Sequence, residues 1–388
     1  VENTATQVTN DKRDKTNTVT NPLKEINPKK DVTVKVGGDS IDGKSVYLNH
    51  TFLYRLDSSI LPPDRAYQTV TDWGGTDQLN TEYDQYLGNW AVYASRDLYR
   101  DGQMLAAKGE KIAGSGFDSS KFGGNLFTVD ADDNGKVTAD ATQAYLDLVS
   151  ADNEHEAGWV LYLQCKRIAV ADEVPNTWTE TINGQPRESN KVVTKTPDMT
   201  PSIHLEKVDT PTLKQEGQEQ ADRDDPKQAL KMDADNIGIT FIITNTSKTD
   251  PATGDGAWYK ASDLNLDDST IVGDAHVDMD SLTYPDNWDT LVLKPGESVS
   301  VTGTLKGVKE GDTHTDRAIV TGTPLVECAP SNGDPFNDKT DSGEDTDPEY
   351  STGDVTEIDG KQLCADTQTT SNTDDWNGYR AKPLASTG

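Results

Sequence analysis

The chain has 388 residues and carries 36 Lys and Arg against 67 Asp and Glu, a formal net charge of −31. With a pI near 4.4 and a mean hydropathy of −0.73, it repels nucleic-acid phosphates and anionic membranes. Its 33 % hydrophobic share is low for a packed enzyme but adequate for β-sandwiches whose strands bury one face, and its length predicts two or three domains.

No apolar run is long enough to span a membrane, and no basic-then-apolar leader stands at Val1, which reads as the start of a mature or trimmed chain. Residues 1–25 are polar. Within them KTNTVTNP (15–22) parallels ESNKVVTKTP (188–197), so the segment reads either as a tail or as the closing strand of a preceding domain, with Asn17 standing where Asn190 stands. Residues 26–197 form the first predicted domain. INPKKDVTV (26–34) opens it as a strand, and period-two alternation puts Lys30 on the face of Val32, Val34 and Val36. Further strands are predicted in SVYLNHTFLYRL (45–56), NWAVYASRDLY (89–99) and GWVLYLQCKRIAVA (158–171). Turns fall at Gly37-Gly38, Asp42-Gly43, Asp101-Gly102 and Asn183-Gly184. VTDW (70–73) places Asp72 with Val70, a short helix is predicted over DATQAYLDLV (140–149), and the last strand places Asn190 with Val192. Cys165 shares the face of Trp159, Leu161 and Leu163 and reads as a buried free thiol.

TPDMTPS (196–202) is a stiff linker into a second domain, 198–378. Its predicted strands are SIHLEKV (202–208), IGITFIITNTS (237–247), SDLNLDD (262–268), TLVLKPGESVSVTGTL (290–305) and RAIVTGT (317–323), with a hairpin at LKPGES. Residues 325–378 read as an acidic insertion that returns as a last strand, and Cys328 and Cys364 within it could pair. Both domains are expected to be all-β sandwiches.

A lysine, an asparagine and an acid turned into one apolar core are costly unless they pair or react. Lys30, Asn190 and Asp72 suit a spontaneous Lys–Asn isopeptide bond. Burial favours the neutral, nucleophilic amine, and a protonated acid polarises the amide as ammonia leaves. In the second domain Lys207, Asp316 and Asp268 repeat the pattern as a Lys–Asp pair; ordinary inward ion pairs are the alternative. DADDNGKV (130–137) resembles a calcium loop through Asp130, Asp132 and Asn134, but Ala141 occupies the position of the bidentate Glu, and a β-turn competes. No catalytic triad, zinc spacing or phosphate loop is present, and the five histidines form no ligand cluster, so no enzyme and no required cofactor is expected. Leu384, Ala385, Ser386, Thr387 and Gly388, in the tail 379–388, look like a sortase pentapeptide, which implies peptidoglycan as a covalent partner.

The motifs INPKKDVTV, IDGKSVYLNHTFLYRL (41–56), ILPPDR (60–65), YDQYLGNWAVYASRDL (83–98), QCKRIAVA (164–171) and ESNKVVTKTP resemble the C-terminal repeat domain of antigen I/II adhesins over residues 24–197. The resemblance implies Ig-like sandwiches of the CnaA/DEv-IgG type with Lys–Asn isopeptide bonds, in a stalk that contributes to host-glycoprotein binding. It puts the lysine on Lys30 and the asparagine on Asn190, with the acid on Asp72 or on Asp77. TFIITNTS (240–247), LKPGESVSVTGTL (293–305), THTDRAIVTGTP (313–324) and TDDWNG (373–378) resemble DUF11-like repeats of Gram-positive surface proteins, where Asn is more usual than Asp316. LASTG resembles the LAxTG signal of high-GC Gram-positives. The expectation is a monomeric stalk of a wall-anchored adhesin, outside the membrane. Its rival is a module that binds host glycoprotein or glycan itself, with calcium assisting.

Overall fold

The computed structural model describes residues 2–20, 26–65, 69–210, 221–329, 336 and 355–382. Two compact units divide the chain after Thr196, and Phe336 belongs with the first. Residues 2–20 carry a hairpin of β1 (Thr6–Thr9) and β2 (Lys12–Lys15), turning at Asn10 and Asp11, which adopt φ of 49° and 62°. Every residue of the hairpin is exposed, and so is Asn17, which therefore has no core position like that expected of Asn190.

The first unit is built from β3 (Lys29–Thr33), β4 (Thr51–Asp57), β5 (Trp73–Gln78), β6 (Asp84–Ala94), β7 (Lys111–Gly114), β8 (Phe127–Ala131) and β9 (Lys136–Ala141). The helix α1 (Gln143–Ala151) follows, then β10 (Trp159–Arg167), β11 (Ala171–Asn176), β12 (Trp178–Ile182), β13 (Gln185–Glu188) and β14 (Val192–Thr196). One antiparallel sheet has the order β7-β6-β10-β4-β3, the other β8-β9-β5-β12-β13, while β11 pairs with β14. Apolar residues at alternate positions fill the space between the two sheets: Val32, Phe52, Tyr54 and Leu161 from one, Trp73, Val137 and Trp178 from the other. Trp159 sits at the centre, its ring 5.4 Å from Phe127 and 5.7 Å from Trp178. Gly75 makes room for this packing, since a Cβ there would meet the Trp178 ring at 2.5 Å.

Three expectations shift in this unit. The opening strand ends at Thr33, because the chain turns at Gly37 (φ 68°); Val34 is 50 % exposed and does not share the buried face of Lys30. Residues 45–50 are not a strand apart from a bridge at Ser45, and pairing begins at Thr51. The helix begins after Ala141, which ends β9, and buries Tyr145, Leu146, Leu148 and Val149.

The second unit contains β15 (Ile203–Asp209), β16 (Asn236–Asn245), β17 (Asn265–Val272), β18 (His276–Val277), β19 (Ser298–Lys306) and β20 (Thr313–Gly322). It continues with β21 (Leu325–Glu327), β22 (Thr356–Ile358), β23 (Lys361–Ala365) and β24 (Asp374–Tyr379). One sheet runs β15-β16-β19-β18; the facing sheet holds β24, β20 and β17 in that order, with Leu230–Lys231 parallel to β24. Leu205, Ile239, Phe241, Ile243 and Val301 meet Ala318, Val320 and Trp376 between them. The expected LKPGES hairpin is a turn without a hairpin. Val292–Leu293 pairs with Tyr259–Lys260, whereas β19 pairs with β16, so the chain changes sheets there. In the acidic stretch β21, β23 and β22 form a three-stranded sheet, and a disulfide joins Cys328 to Cys364 beside it.

Candidate functional site: two buried lysines

Period-two alternation along β15 turns Lys207 inward with Ile203 and Leu205, and its amine is fully buried. It meets two carboxylates from neighbouring strands of the facing sheet. Nζ lies 2.5 Å from Asp268 Oδ2 on β17 and 2.6 Å from Asp316 Oδ1 on β20. Burial, against the pull of Lys207 and with Asp316 adding to the effect, raises Asp268 to about 6. The three residues expected together are thus in contact. Their register is specific. Asp268 lies directly opposite Ala318, and Asp316 stands two residues before Ala318 on the same inward row.

The first unit repeats this register with Lys30, as expected, but with Asp77 in place of Asp72 and Asn176 in place of Asn190. Lys30 Nζ pairs with the buried carboxylate of Asp77 and lies 4.5 Å from the centroid of the Tyr54 ring. Burial lowers the Lys30 amine from its ordinary value, with Asp77 acting in the opposite direction. Asp77, the alternative acid, takes the place given to Asp72. The inward row of β5 starts at Trp73 and runs to Asp77, whereas Asp72 precedes the strand and accepts a hydrogen bond from Gly184 N at 3.0 Å.

Asn190 is also reassigned. Its Oδ1 accepts from Lys30 N and its Nδ2 donates to Lys30 O, both at 2.9 Å, so its amide is spent on the lysine's main chain. Asn372 does the same to Leu205 in the second unit, at 2.9 Å in both directions. Each asparagine follows a serine whose Oγ accepts a main-chain N–H from the neighbouring strand: Trp178 N to Ser189, 3.1 Å, and Val320 N to Ser371, 3.0 Å. Ser-Asn is therefore a clamp that holds the opening strand to the facing sheet.

The residue of the first unit that corresponds in register to Asp316 is Asn176. Asp77 lies opposite Trp178, as Asp268 lies opposite Ala318, and Asn176 stands two residues before Trp178 as Asp316 stands two before Ala318. Asn176 is 6 % exposed, and its Nδ2 is buried without a hydrogen-bond partner. Val174, Asn176, Trp178, Glu180 and Ile182 form one buried alternating row where the chain passes from β11 into β12. That alternation is the signal the sequence offers for Asn176, and it runs through a stretch, 172–187, outside the predicted strands. Relative to the Ser-Asn clamp, the second unit's lysine lies two residues further along its strand and its acceptor two residues further back. In both units the acid and the residue two before its cross-strand neighbour keep the same register.

A second buried polar chain stands beside Lys30. Tyr54 OH donates to Asp84 Oδ2 at 2.7 Å, and Arg167 donates to Asp84 Oδ1 at 2.8 Å and to Thr194 and Thr196 Oγ1 at 2.7 Å each. Cys165, free and fully buried, is pushed upward in pKa by that burial. The segment weighed as a calcium loop or a β-turn is the turn between β8 and β9. Asp132 Oδ1 accepts from Asn134 N and Lys136 N, both at 2.9 Å, Asp130 lies in β8, and no group of three or more His, Cys, Asp or Glu among the described residues is placed to hold a metal. Leu384–Gly388 lies outside the described residues. Among those described, no helix is long and apolar enough to cross a membrane.

Comparison with known proteins bears on the first unit. Residues 27–197 match the family described as cell surface antigen C-terminus. The chain is 37 % identical over 201 residues to the Aggregation substance of Enterococcus faecalis, an alignment that covers 51 % of this chain and 14 % of that protein. Among solved structures it is similar to the C-terminal domain of the Streptococcus pyogenes antigen I/II-family protein AspA, with 28 % identity, TM-score 0.42, and 50 % and 53 % of the two chains covered. A second is the Streptococcus agalactiae antigen I/II polypeptide BspA C-terminal domain, at 23 % identity, TM-score 0.41, covering 50 % and 57 %. The match to the cell surface antigen C-terminus is confined to the first unit, and the chain spans a small part of the curated relative it matches.

Proposed function

We propose that the chain is a stalk segment of a cell-wall-anchored bacterial surface adhesin, with each unit closed by an internal amide. In the first unit Lys30 Nζ bonds to Asn176 Cγ and Nδ2 leaves as ammonia, with Asp77 taking the proton from the amine. In the second Lys207 Nζ bonds to Asp316 Cγ and one carboxylate oxygen leaves as water. The observation that supports this is the repeated register, in which a fully buried lysine meets a buried aspartate and the acceptor stands two residues before that aspartate's cross-strand neighbour. Such triads avoid a lasting desolvation penalty by converting an ion pair into a neutral amide. The adhesin reading draws on the match to the cell surface antigen C-terminus and the likeness to Aggregation substance. Attachment to peptidoglycan rests on the LASTG string.

Intact mass followed by tandem sequencing of linked peptides tests the reading. Beyond the two hydrogens removed by the disulfide, the protein should be lighter than its sequence by one ammonia and one water. The linked peptides should join Lys30 to Asn176 and Lys207 to Asp316. A mass equal to that of the disulfide-bonded sequence would overturn both bonds.

A further inference from the structure

His314 stands two residues before Asp316 on β20 and faces the same side of the strand. It is 2 % exposed, and its Nε2 lies 3.1 Å from Asp316 Oδ2, the oxygen turned away from Lys207. Asp316 Oδ1 is the oxygen 2.6 Å from Lys207 Nζ. Both contacts are at ion-pair distance but off the hydrogen-bonding line, and among the described residues neither imidazole nitrogen has a hydrogen-bond partner. An imidazole buried in an apolar core without a hydrogen bond is costly, and it needs a reason to be there.

We infer that His314 is the general acid for closure of the second unit, giving a proton to Asp316 Oδ2 so that this oxygen departs as water. The inference rests on the Lys207–Asp316 amide proposed above. A carboxylate is a poor acceptor because its oxygens leave only when protonated. A Lys–Asn closure expels ammonia instead, and among the described residues no histidine pairs with Lys30 or Asp77. The step balances within the site. Lys207 begins as ammonium, Asp268 and Asp316 as carboxylates, and His314 as imidazolium. Asp268 takes the first proton from Nζ, and the freed amine attacks Asp316 Cγ. The second Nζ proton passes to Oδ2 within the tetrahedral adduct. With the proton from His314, Oδ2 leaves as water. The products are the amide, neutral His314 and protonated Asp268. No other reactant is required.

The groups facing His314 allow this. Asp316 lies on its own strand, Asp268 on β17 and Lys207 on β15, while the Trp376 ring of β24 is 6.2 Å away. A positioned general acid contributes about 100-fold or more to a rate.

The test uses the full chain, made by a short cell-free pulse and chased while the linked Lys207–Asp316 peptide is followed with time. His314→Gln keeps a polar side chain of similar reach but has no transferable proton. It should close the second unit about 100-fold more slowly, with Lys30–Asn176 closure unchanged. To separate chemistry from packing, Lys207→Met and the double variant Lys207→Met/His314→Gln are melted side by side, since neither can form the bond. Equal melting with slow linking in His314→Gln supports the role. Linking at the wild-type rate overturns it and leaves the amide standing. Slow linking with a double variant that melts far below Lys207→Met assigns His314 to packing and also overturns it. A wild-type chain without the linked peptide overturns the amide, and this inference with it.

Discussion

Asn176, the proposed acceptor, and Asn190, the clamp, make opposite predictions. Asn176→Ala removes the acceptor and Asn190→Ala removes the clamp. Closing a loop that spans most of the first unit is worth about 5 kcal/mol in the chain-entropy treatment of crosslinks. For a unit of this size 1 kcal/mol moves Tm by about 2–4 °C, so Asn176→Ala should lower the first unit's Tm by about 10–20 °C. Lys30 would keep its Asp77 and Tyr54 partners, so no bare buried charge adds to the loss. Asn190→Ala forfeits two hydrogen bonds to the Lys30 main chain, each 2.9 Å, worth about 1 kcal/mol apiece and so about 4–8 °C. The assay is calorimetry paired with intact mass. Asn176→Ala should regain one ammonia, and Asn190→Ala should not. If Asn190→Ala regains the ammonia while Asn176→Ala stays light, the shared register does not select the acceptor and the clamp residue is the one that reacts.

Three further outcomes are expected. Burial raises Asp374 to about 7 from an ordinary 3.8, with Asp224 and Glu206 adding to the rise and the Lys207 N–H opposing it. The folded chain then holds a proton that the unfolded chain releases, so stability falls as pH rises from about 4 to 7. Asp374→Asn should flatten that decline and gain about 1–2 kcal/mol at pH 8 after solvent screening; an unchanged Tm-against-pH slope would refute it. The Cys328–Cys364 disulfide spans a sequence separation of 36, so reducing it should destabilise the second unit by about 4 kcal/mol. Thiol labelling of the unfolded, unreduced chain should find only Cys165, and three labelled cysteines would count against the pairing. Under force applied at its ends, the first unit should release roughly 7 nm, the stretch after Asn176, while Lys30→Met should release roughly 60 nm. Equal releases would count against a covalent tie.

Much of the fold is legible in the sequence because inward rows alternate cleanly. IGITFIITN buries Ile239, Phe241 and Ile243, and THTDRAIVTG buries Asp316, Ala318 and Val320. The lysines are legible for the same reason, each lying in such a row on an opening strand. The acceptor of the first unit is not. Its position is set by which residue pairs with Asp77, a matter of register between strands far apart in sequence, and alternation within one strand carries no such information. Asn190 is persuasive because it shares a strand end with Val192, yet its amide serves the main chain. Asp72 misses by five residues, because the sequence does not announce that the strand begins at Trp73. His314 lies in a legible inward row, but the oxygen it faces depends on how that row packs, which a lone histidine does not reveal.

The placement of the ties bears on how a stalk made of such units carries load. The proposed amide from Lys30 to Asn176 would relieve everything between them of tension, but β12, β13 and β14 follow Asn176 and would stay outside the loop. In the second unit β21, β22, β23 and β24 all follow Asp316, and the Cys328–Cys364 disulfide bridges part of that stretch. The noncovalent contacts of these closing strands are therefore the ones that matter under force, and they are dense. Arg167, fully buried, holds Thr194 and Thr196 on β14 while anchored to Asp84. Asn190 and Ser189 fasten the segment before β14 to Lys30 and Trp178. In the second unit Asn377 Nδ2 donates to Arg223 O at 2.7 Å, and Trp376 Nε1 donates to Asp209 Oδ1 at 2.7 Å. Buried, charge-assisted contacts break far less readily than exposed ones. The two devices therefore act on different stretches of chain. The proposed amide would secure each unit as far as the residue it joins, and the polar contacts would secure the stretch through which the chain leaves it.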